Sequence, residues 1–188
     1  SITADDVDSD VVQGIISDLN GDNQVPANNS PGFGHVTGTY DPVTGTLDVE
    51  VTFKNLQSPT AIVGPSAGHI HLGNVGNNGP IAFDLGIPAG IKSGSFNYST
   101  PLTASEAATL LARGYYVNIH TAAFGGGEIR GQLCPANGGQ PGSFDNTDCL
   151  TLAIDNDKFT CNDKGDNVVT LTVTDAAGNA DQCTATVT

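Results

Sequence analysis

The strongest constraint on this chain is hydrophobic alternation of period two, carried in short runs and broken by glycine and proline. Residues 46–54, TLDVEVTFK, show it most cleanly. Leu47, Val49, Val51 and Phe53 fall on one side, and Asp48, Glu50, Thr52 and Lys54 on the other. That spacing suits a strand in an antiparallel sheet with one wet face. Strands are also expected at 13–20, 34–40, 81–85, 115–121 and 128–133. Gly21-Asp-Asn-Gln-Val-Pro26 and Asp41-Pro-Val-Thr-Gly45 mark turns. One helix is predicted over 104–113, opened by a Thr103/Glu106 capping box and stopped at Gly114. Short strands with Gly/Pro turns and a single helix predict an all-β antiparallel sandwich.

A second feature sits inside this pattern. In Ala67-Gly-His-Ile-His-Leu-Gly73, His69 and His71 share one strand face, while Ile70 and Leu72 turn toward a core. Tyr116-Val-Asn-Ile-His-Thr121 places Tyr116, Asn118 and His120 on a common face. His35 follows Pro31-Gly-Phe-Gly34. These are all four histidines of the chain. Neutral imidazole suits copper or zinc, so His69, His71 and His120, with His35 as a fourth candidate, are the candidate metal ligands. The alternative is a hydrogen-bonded polar layer shared with Asn118, Glu128 and Arg130. Glu128 and Arg130 lie two apart on one face and are expected to form a salt bridge.

Charge narrows the partners. Twenty Asp+Glu against six Lys+Arg leave a formal charge of −14. A generic phosphate-binding surface is excluded, because nucleic-acid affinity draws on Lys and Arg. Docking on anionic membranes is disfavoured for the same reason. No apolar run approaches 18 residues, so no transmembrane helix is expected. Ser1 reads as the start of a processed or excised chain. The acidic stretches Asp5–Asp10, Asp145–Asp148 and Asp155–Asp157 offer carboxylates to calcium, without EF-hand spacing; solvated loop charge is the competing explanation. Asn28-Asn-Ser30 and Asn97-Tyr-Ser99 are sequons, so Asn28 and Asn97 are candidate glycan sites.

Residues 1–12 read as an acidic arm, and 135–142, PANGGQPG, as a linker after a domain spanning 13–134. The tail, 143–188, alternates again: Val169, Leu171 and Val173 against threonines, then Cys183, Ala185 and Val187 against threonines. Asp175-Ala-Ala-Gly-Asn179 is the turn between them. Cys134, Cys149, Cys161 and Cys183 are an even set with no CxxC spacing, which points to disulfides in an oxidising compartment. Three pairings exist. The pairs 134–149 and 161–183 each close a short loop, contributing about 3 kcal/mol apiece.

Val25-Pro26, Asn55-Leu56, Gly68-His-Ile-His71, Gly79-Pro80, Tyr116-Val-Asn-Ile-His-Thr121 and Gly127-Glu-Ile-Arg-Gly-Gln-Leu133 together resemble the CHRD domain, over about 13–133. The resemblance implies a β-sandwich-like fold in an extracellular, often bacterial, secreted or surface protein. Gln24 departs from the acidic residue that the family often has before Val-Pro. In the tail, Phe159-Thr-Cys161, the Val-Thr-Leu-Thr-Val-Thr-Asp run, Gly178-Asn179 and Cys183-Thr-Ala-Thr-Val resemble the second half of a HYR-like, immunoglobulin-type bacterial repeat. Half a sandwich lacks strands. The His-x-His pattern is also similar to that of copper/zinc superoxide dismutases. That likeness implies redox chemistry with Arg130 as the anion-attracting group, although an acidic surface repels superoxide.

These readings lead to three functional expectations. The first is an extracellular structural subunit that self-associates head-to-tail into a fibre or surface layer, residues 1–12 completing the half-sandwich of the next copy. The second is a copper-binding redox protein. The third is an adhesin or matrix-binding module with glycan partners. No Ser/His/Asp or Cys/His nucleophile set is readable, so a non-enzymatic role is favoured.

Overall fold

The computed structural model describes residues 11–136, 151–155, 163–174 and 180–187. The chain divides into two units, 1–147 and 148–188. Most of the expected donor arm, the acidic stretches 5–10 and 145–148, Asp157, Cys149, Cys161 and the 175–179 turn lie outside the described residues.

In the first unit the strands are β1 (Gln13–Asn20), β2 (Phe33–Asp41), β3 (Thr46–Lys54), β4 (Gly68–Leu72), β5 (Ile81–Asp84) and β6 (Gly94–Pro101). Helix α1 (Ala104–Leu111) precedes β7 (Tyr115–Ile119), β8 (Ile129–Gln132) and β9 (Cys134–Ala136). All pair antiparallel in one sheet ordered β5-β4-β7-β8-β1-β2-β3-β6, with β9 also on β1. The sheet curls on itself. Phe83 on β5 and Tyr98 on β6, its two ends, come within 6.5 Å centroid to centroid. One hydrophobic core fills the inside, with Ile15, Leu19, Val36, Leu47, Val49, Val51, Phe53, Ile70, Val117, Ile119, Ile129 and Leu133 among its residues. The fold is therefore the expected all-β antiparallel architecture with one short helix.

The alternation in 46–54 is realised in full: Leu47, Val49, Val51 and Phe53 are buried, and Asp48, Glu50 and Lys54 exposed. Thr103 and Glu106 form the capping box. The helix ends sooner than Gly114. Arg113 takes the left-handed conformation, φ 59°, and its N–H bonds the Leu110 carbonyl. Leu72, expected in the core, is exposed at the end of β4. β6 escapes a search for strong β formers because GSFNYSTP is mostly small and polar, yet Phe96 stacks on Phe53 at 5.9 Å and holds it in place. Pro135 and Ala136, assigned to a linker by composition, belong to β9 and pair with Ile15 and Gly14.

β8 meets β1 at Asn20↔Arg130, and β9 takes over the pairing at Ile16↔Cys134. Between them Gly131 passes so close to β1 that a Cβ would lie 2.2 Å from Ser17 Oγ and 2.3 Å from the Asp18 carbonyl. Only glycine permits that approach.

The second unit carries a three-stranded meander, β10 (Thr151–Ile154), β11 (Asn167–Thr174) and β12 (Ala180–Val187). Its register puts Val169 opposite Ala185, Leu171 opposite Cys183 and Ile154, and Val173 opposite Leu152. Val169, Leu171, Ala185, Cys183 and Ile154 therefore share one face, with Asp181 opposite Val173 at its end. Val169 is the buried hydrophobic of this unit among the described residues, and β12 is exposed throughout. Cys183 is a free, exposed thiol, so the expected 161–183 bridge is not formed; its cross-strand neighbour is Leu171, not a cysteine. Cys134 is not a free thiol.

Candidate metal centre

β4 and β7 pair with His69 opposite Asn118 and His71 opposite Tyr116. Alternation sends Ile70, Val117 and Ile119 into the core and these four side chains to the outer face. His120 follows β7, its backbone N–H donating to the Ala67 carbonyl at 2.8 Å. The three imidazoles converge. Ring centroids are 5.1 Å apart for His69–His120, 5.5 Å for His69–His71 and 5.9 Å for His71–His120. One ligating nitrogen from each lies within 4.8 Å of the others.

This outer face is not wet. His69 is 0% exposed, His120 4% and His71 8%. Polar groups buried in this way must find partners. His71 Nδ1–H donates to the Gly79 carbonyl and His120 Nδ1–H to the Gly125 carbonyl, each at 2.9 Å. A carbonyl only accepts, so both rings carry their proton on Nδ1 and present a bare Nε2 lone pair. Neither Nε2 has a hydrogen-bond partner, nor does either nitrogen of His69.

Burial lowers the pKa of all three, because a charged imidazolium loses its hydration there. For His69, desolvation is joined by the nearby His71. For His71, desolvation is the main cause, opposed by the Gly79 hydrogen bond and reinforced by the Arg130 charge. His120 is pushed down to about 4, chiefly by desolvation, with the other two histidines adding to it. At neutral pH the trio is uncharged and able to donate lone pairs.

The surrounding polar residues are satisfied within the protein. Gln24, in the family-variant position, donates to Asn118 Oδ1 at 2.7 Å, and Asn118 donates to the Gly126 carbonyl at 3.0 Å. Gln24 thus supports this layer by hydrogen bonding rather than by charge. Glu128, 0% exposed, accepts from Ser30 Oγ (2.5 Å), Gln57 N (2.5 Å) and Thr121 Oγ1 (2.6 Å). Arg130, 2% exposed, donates to Asn78 Oδ1 (3.1 Å) and to the carbonyls of Asn74 (3.2 Å) and Asn77 (2.8 Å). Its guanidinium lies 3.5 Å from the centre of the Tyr116 ring.

Several sequence expectations change here. Glu128 and Arg130 do not pair; each has its own partners on loops the sequence could not place. Arg130 is not an anion-attracting group facing solvent, because it is buried and bonded to the 74–78 loop. His35 is not with the other histidines. It sits exposed on β2, where its Nδ1 meets Asp18 Oδ1 across the β1–β2 ladder at 2.6 Å. Among the described residues the three-histidine group is the sole cluster with metal-ligating spacing. Asp155 instead accepts from the Thr170 N–H at 2.9 Å. Asn28 Nδ2 donates to the Glu128 carbonyl at 3.0 Å, so this amide is committed to the fold. Asn97 is exposed on β6. The Gly79 and Gly125 carbonyls, which set the tautomers, carry no sequence signal, since a carbonyl is common to every residue.

Residues 15–133 match the family model for the CHRD domain. No curated protein and no solved structure matches the chain.

Proposed function

This chain belongs to the CHRD domain family, and from that premise we propose that its first unit is a metal-binding module. His69, His71 and His120 hold one copper or zinc ion. The observation that supports this is the orphaned set of nitrogens: three buried imidazoles, two of which donate Nδ1–H to backbone carbonyls and so leave Nε2 bare, meet at a common space. Buried ring nitrogens without hydrogen-bond partners, both of His69 and the Nε2 of His71 and of His120, are costly around one point unless something engages them. A tetrahedral ion at about 2.1 Å from each nitrogen needs them about 3.4 Å apart. The ligating nitrogens lie within 4.8 Å of one another and would draw together to that spacing on binding the ion. No thiolate or carboxylate joins the described group, so the donor set favours copper or zinc over calcium or magnesium.

The test is metal stoichiometry on purified protein stripped and then titrated with Cu²⁺ and with Zn²⁺. One ion per chain is expected, lost in His71→Ala and in His120→Ala and kept in His35→Ala. Binding that survives the triple His69/His71/His120→Ala variant would overturn the reading. Superoxide turnover is a further arm: the buried, loop-bonded Arg130 favours binding over redox catalysis.

A second reading concerns the tail. Its sheet shows an apolar face with Ile154 48% and Val187 40% exposed and β12 exposed throughout. Such a face and its strand edges call for a partner. The reading is self-association in an extracellular fibre or surface layer by strand addition from residues 1–12 of another copy, the tail being a partial HYR-like repeat. Light scattering and negative-stain microscopy of the chain with and without residues 1–12 test it. Polymers unchanged by the deletion would refute donor-strand exchange.

A further inference from the structure

We propose that Arg130 is a positioning residue for this centre: it clamps the 74–79 loop and thereby fixes the tautomer in which His71 presents its ligating nitrogen. The inference rests on the metal-binding reading for its purpose but not for its geometry.

The chain of contacts is short. The Arg130 guanidinium holds three acceptors of the loop, the Asn74 and Asn77 carbonyls and Asn78 Oδ1. The residue after Asn78 is Gly79, whose carbonyl takes the His71 Nδ1 proton. The Gly79 N–H in turn donates to Tyr116 Oη at 3.1 Å. Tyr116 is the shared platform: His71 stacks on it at 5.0 Å with 13° between planes, and the guanidinium lies 3.5 Å from its centre. The Gly79 N–H is therefore held by the Tyr116 hydroxyl and the Gly79 carbonyl by the imidazole stacked on the same ring. Gly79 itself is dictated by closeness, since a Cβ there would lie 1.6 Å from the Leu72 carbonyl oxygen.

A planar fork with several fixed donors suits this task, and a lysine ammonium does not. Residues that orient a ligating histidine through its second nitrogen commonly change metal affinity 10–100-fold when removed. The positive charge alone would act the other way. Arg130 disfavours positive charge at His71, so deleting only that charge would tighten metal binding. Clamp and charge thus predict opposite signs.

The experiment is a ¹⁵N imidazole spectrum of metal-free protein, followed by Zn²⁺ titration, for wild type, Arg130→Gln, Arg130→Lys and Asn78→Ala. In wild type His71 is expected as the pure Nδ1–H tautomer. In Arg130→Gln and in Arg130→Lys it is expected to mix tautomers, with Zn²⁺ affinity about 10–100-fold weaker. Asn78→Ala, which removes one of three contacts, is expected to move both readouts in the same direction by less. His120, anchored separately on Gly125, should keep its tautomer and so reports that the fold is intact. An unchanged His71 tautomer in Arg130→Gln, or Zn²⁺ affinity that rises, would overturn the clamp. Lysine behaving as wild type would do so as well. A His71 tautomer that changes in a protein that binds no metal in wild type would uphold the clamp and remove the metal reading instead.

Discussion

The two outer faces of the first unit carry the same sequence pattern and meet opposite fates. On β2, β3 and β6 the outward residues Thr37, Thr39, Asp48, Glu50, Asn97 and Ser99 are exposed. On β4 and β7 the outward residues His69, His71, Tyr116 and Asn118 are buried, as is Arg130 on β8. Both sets alternate with core residues. The difference lies in cover: segments around Gln24, Gly64, Asn77 and Gly125 fold over the second face and leave the first bare. Polarity on a strand thus says that a side chain avoids the apolar core, not that it reaches water. Once covered, each polar group must be matched, and the mismatch left over at three imidazoles is where function is to be sought.

The comparison can be broken or sharpened by substitution. The largest effect is expected from Glu128→Ala on the covered side. It strands the Gln57 N–H and the Ser30 and Thr121 hydroxyls, at a cost of about 4 kcal/mol. Urea denaturation measures it; a loss near zero would mean that the covering loops hold themselves.

Acid should come next. The folded-state pKa of His120 is depressed from 6.5 to about 4. The unfolded chain therefore takes up the proton first. The stability is fully present above about pH 6.5 and is lost as pH falls toward 4, amounting to about 3 kcal/mol from this residue. His69 and His71 shift in the same direction and add to it. Urea midpoints measured across that window on metal-free protein give the slope, and His120→Asn should flatten it. A pH-independent midpoint in the wild type would contradict the buried, neutral state of the trio. Bound metal should steepen the dependence, because protons compete for the same lone pairs.

Gln24→Ala removes the donor to Asn118 Oδ1 and is expected to cost about 1.5 kcal/mol by the same denaturation assay. At the bottom of the range, Thr37→Ala and Asp48→Asn on the bare face should stay within about 0.5 kcal/mol of wild type. Losses comparable to that of Gln24→Ala would show that the bare face, too, is covered in solution.

Much of this was readable in advance. The strand Thr46–Lys54, the capping box at Thr103 and Glu106, and the pairing of His69 with His71 on one face follow from local spacing, because period two and the i, i+3 cap are set within a few residues. His35 shows the limit. It has the same chemistry and a similar local pattern, yet β2 lies across the sheet from β4, and only strand order reveals that. Glu128 and Arg130 show it again: two apart on one face, they were natural partners for each other until loops from elsewhere supplied better-placed acceptors and donors. β6 is not legible in the sequence because its placement depends on Phe96 and Tyr98 packing on β3 and β5, not on its own propensity.

By itself, then, the sequence determined which residues alternate inward, that the chain is all-β, which family it joins, and that two histidines must be neighbours. These are consequences of the backbone repeat, which acts over a few residues. The tertiary structure alone decided which polar face is covered, which histidine completes the trio, which nitrogen each ring presents, and what holds Arg130. The cover and the Arg130 contacts depend on groups brought together from 50 to 100 residues away, the tautomers on loop carbonyls 8 and 5 residues from His71 and His120, and all of them on the requirement that whatever is taken out of water must find a partner inside.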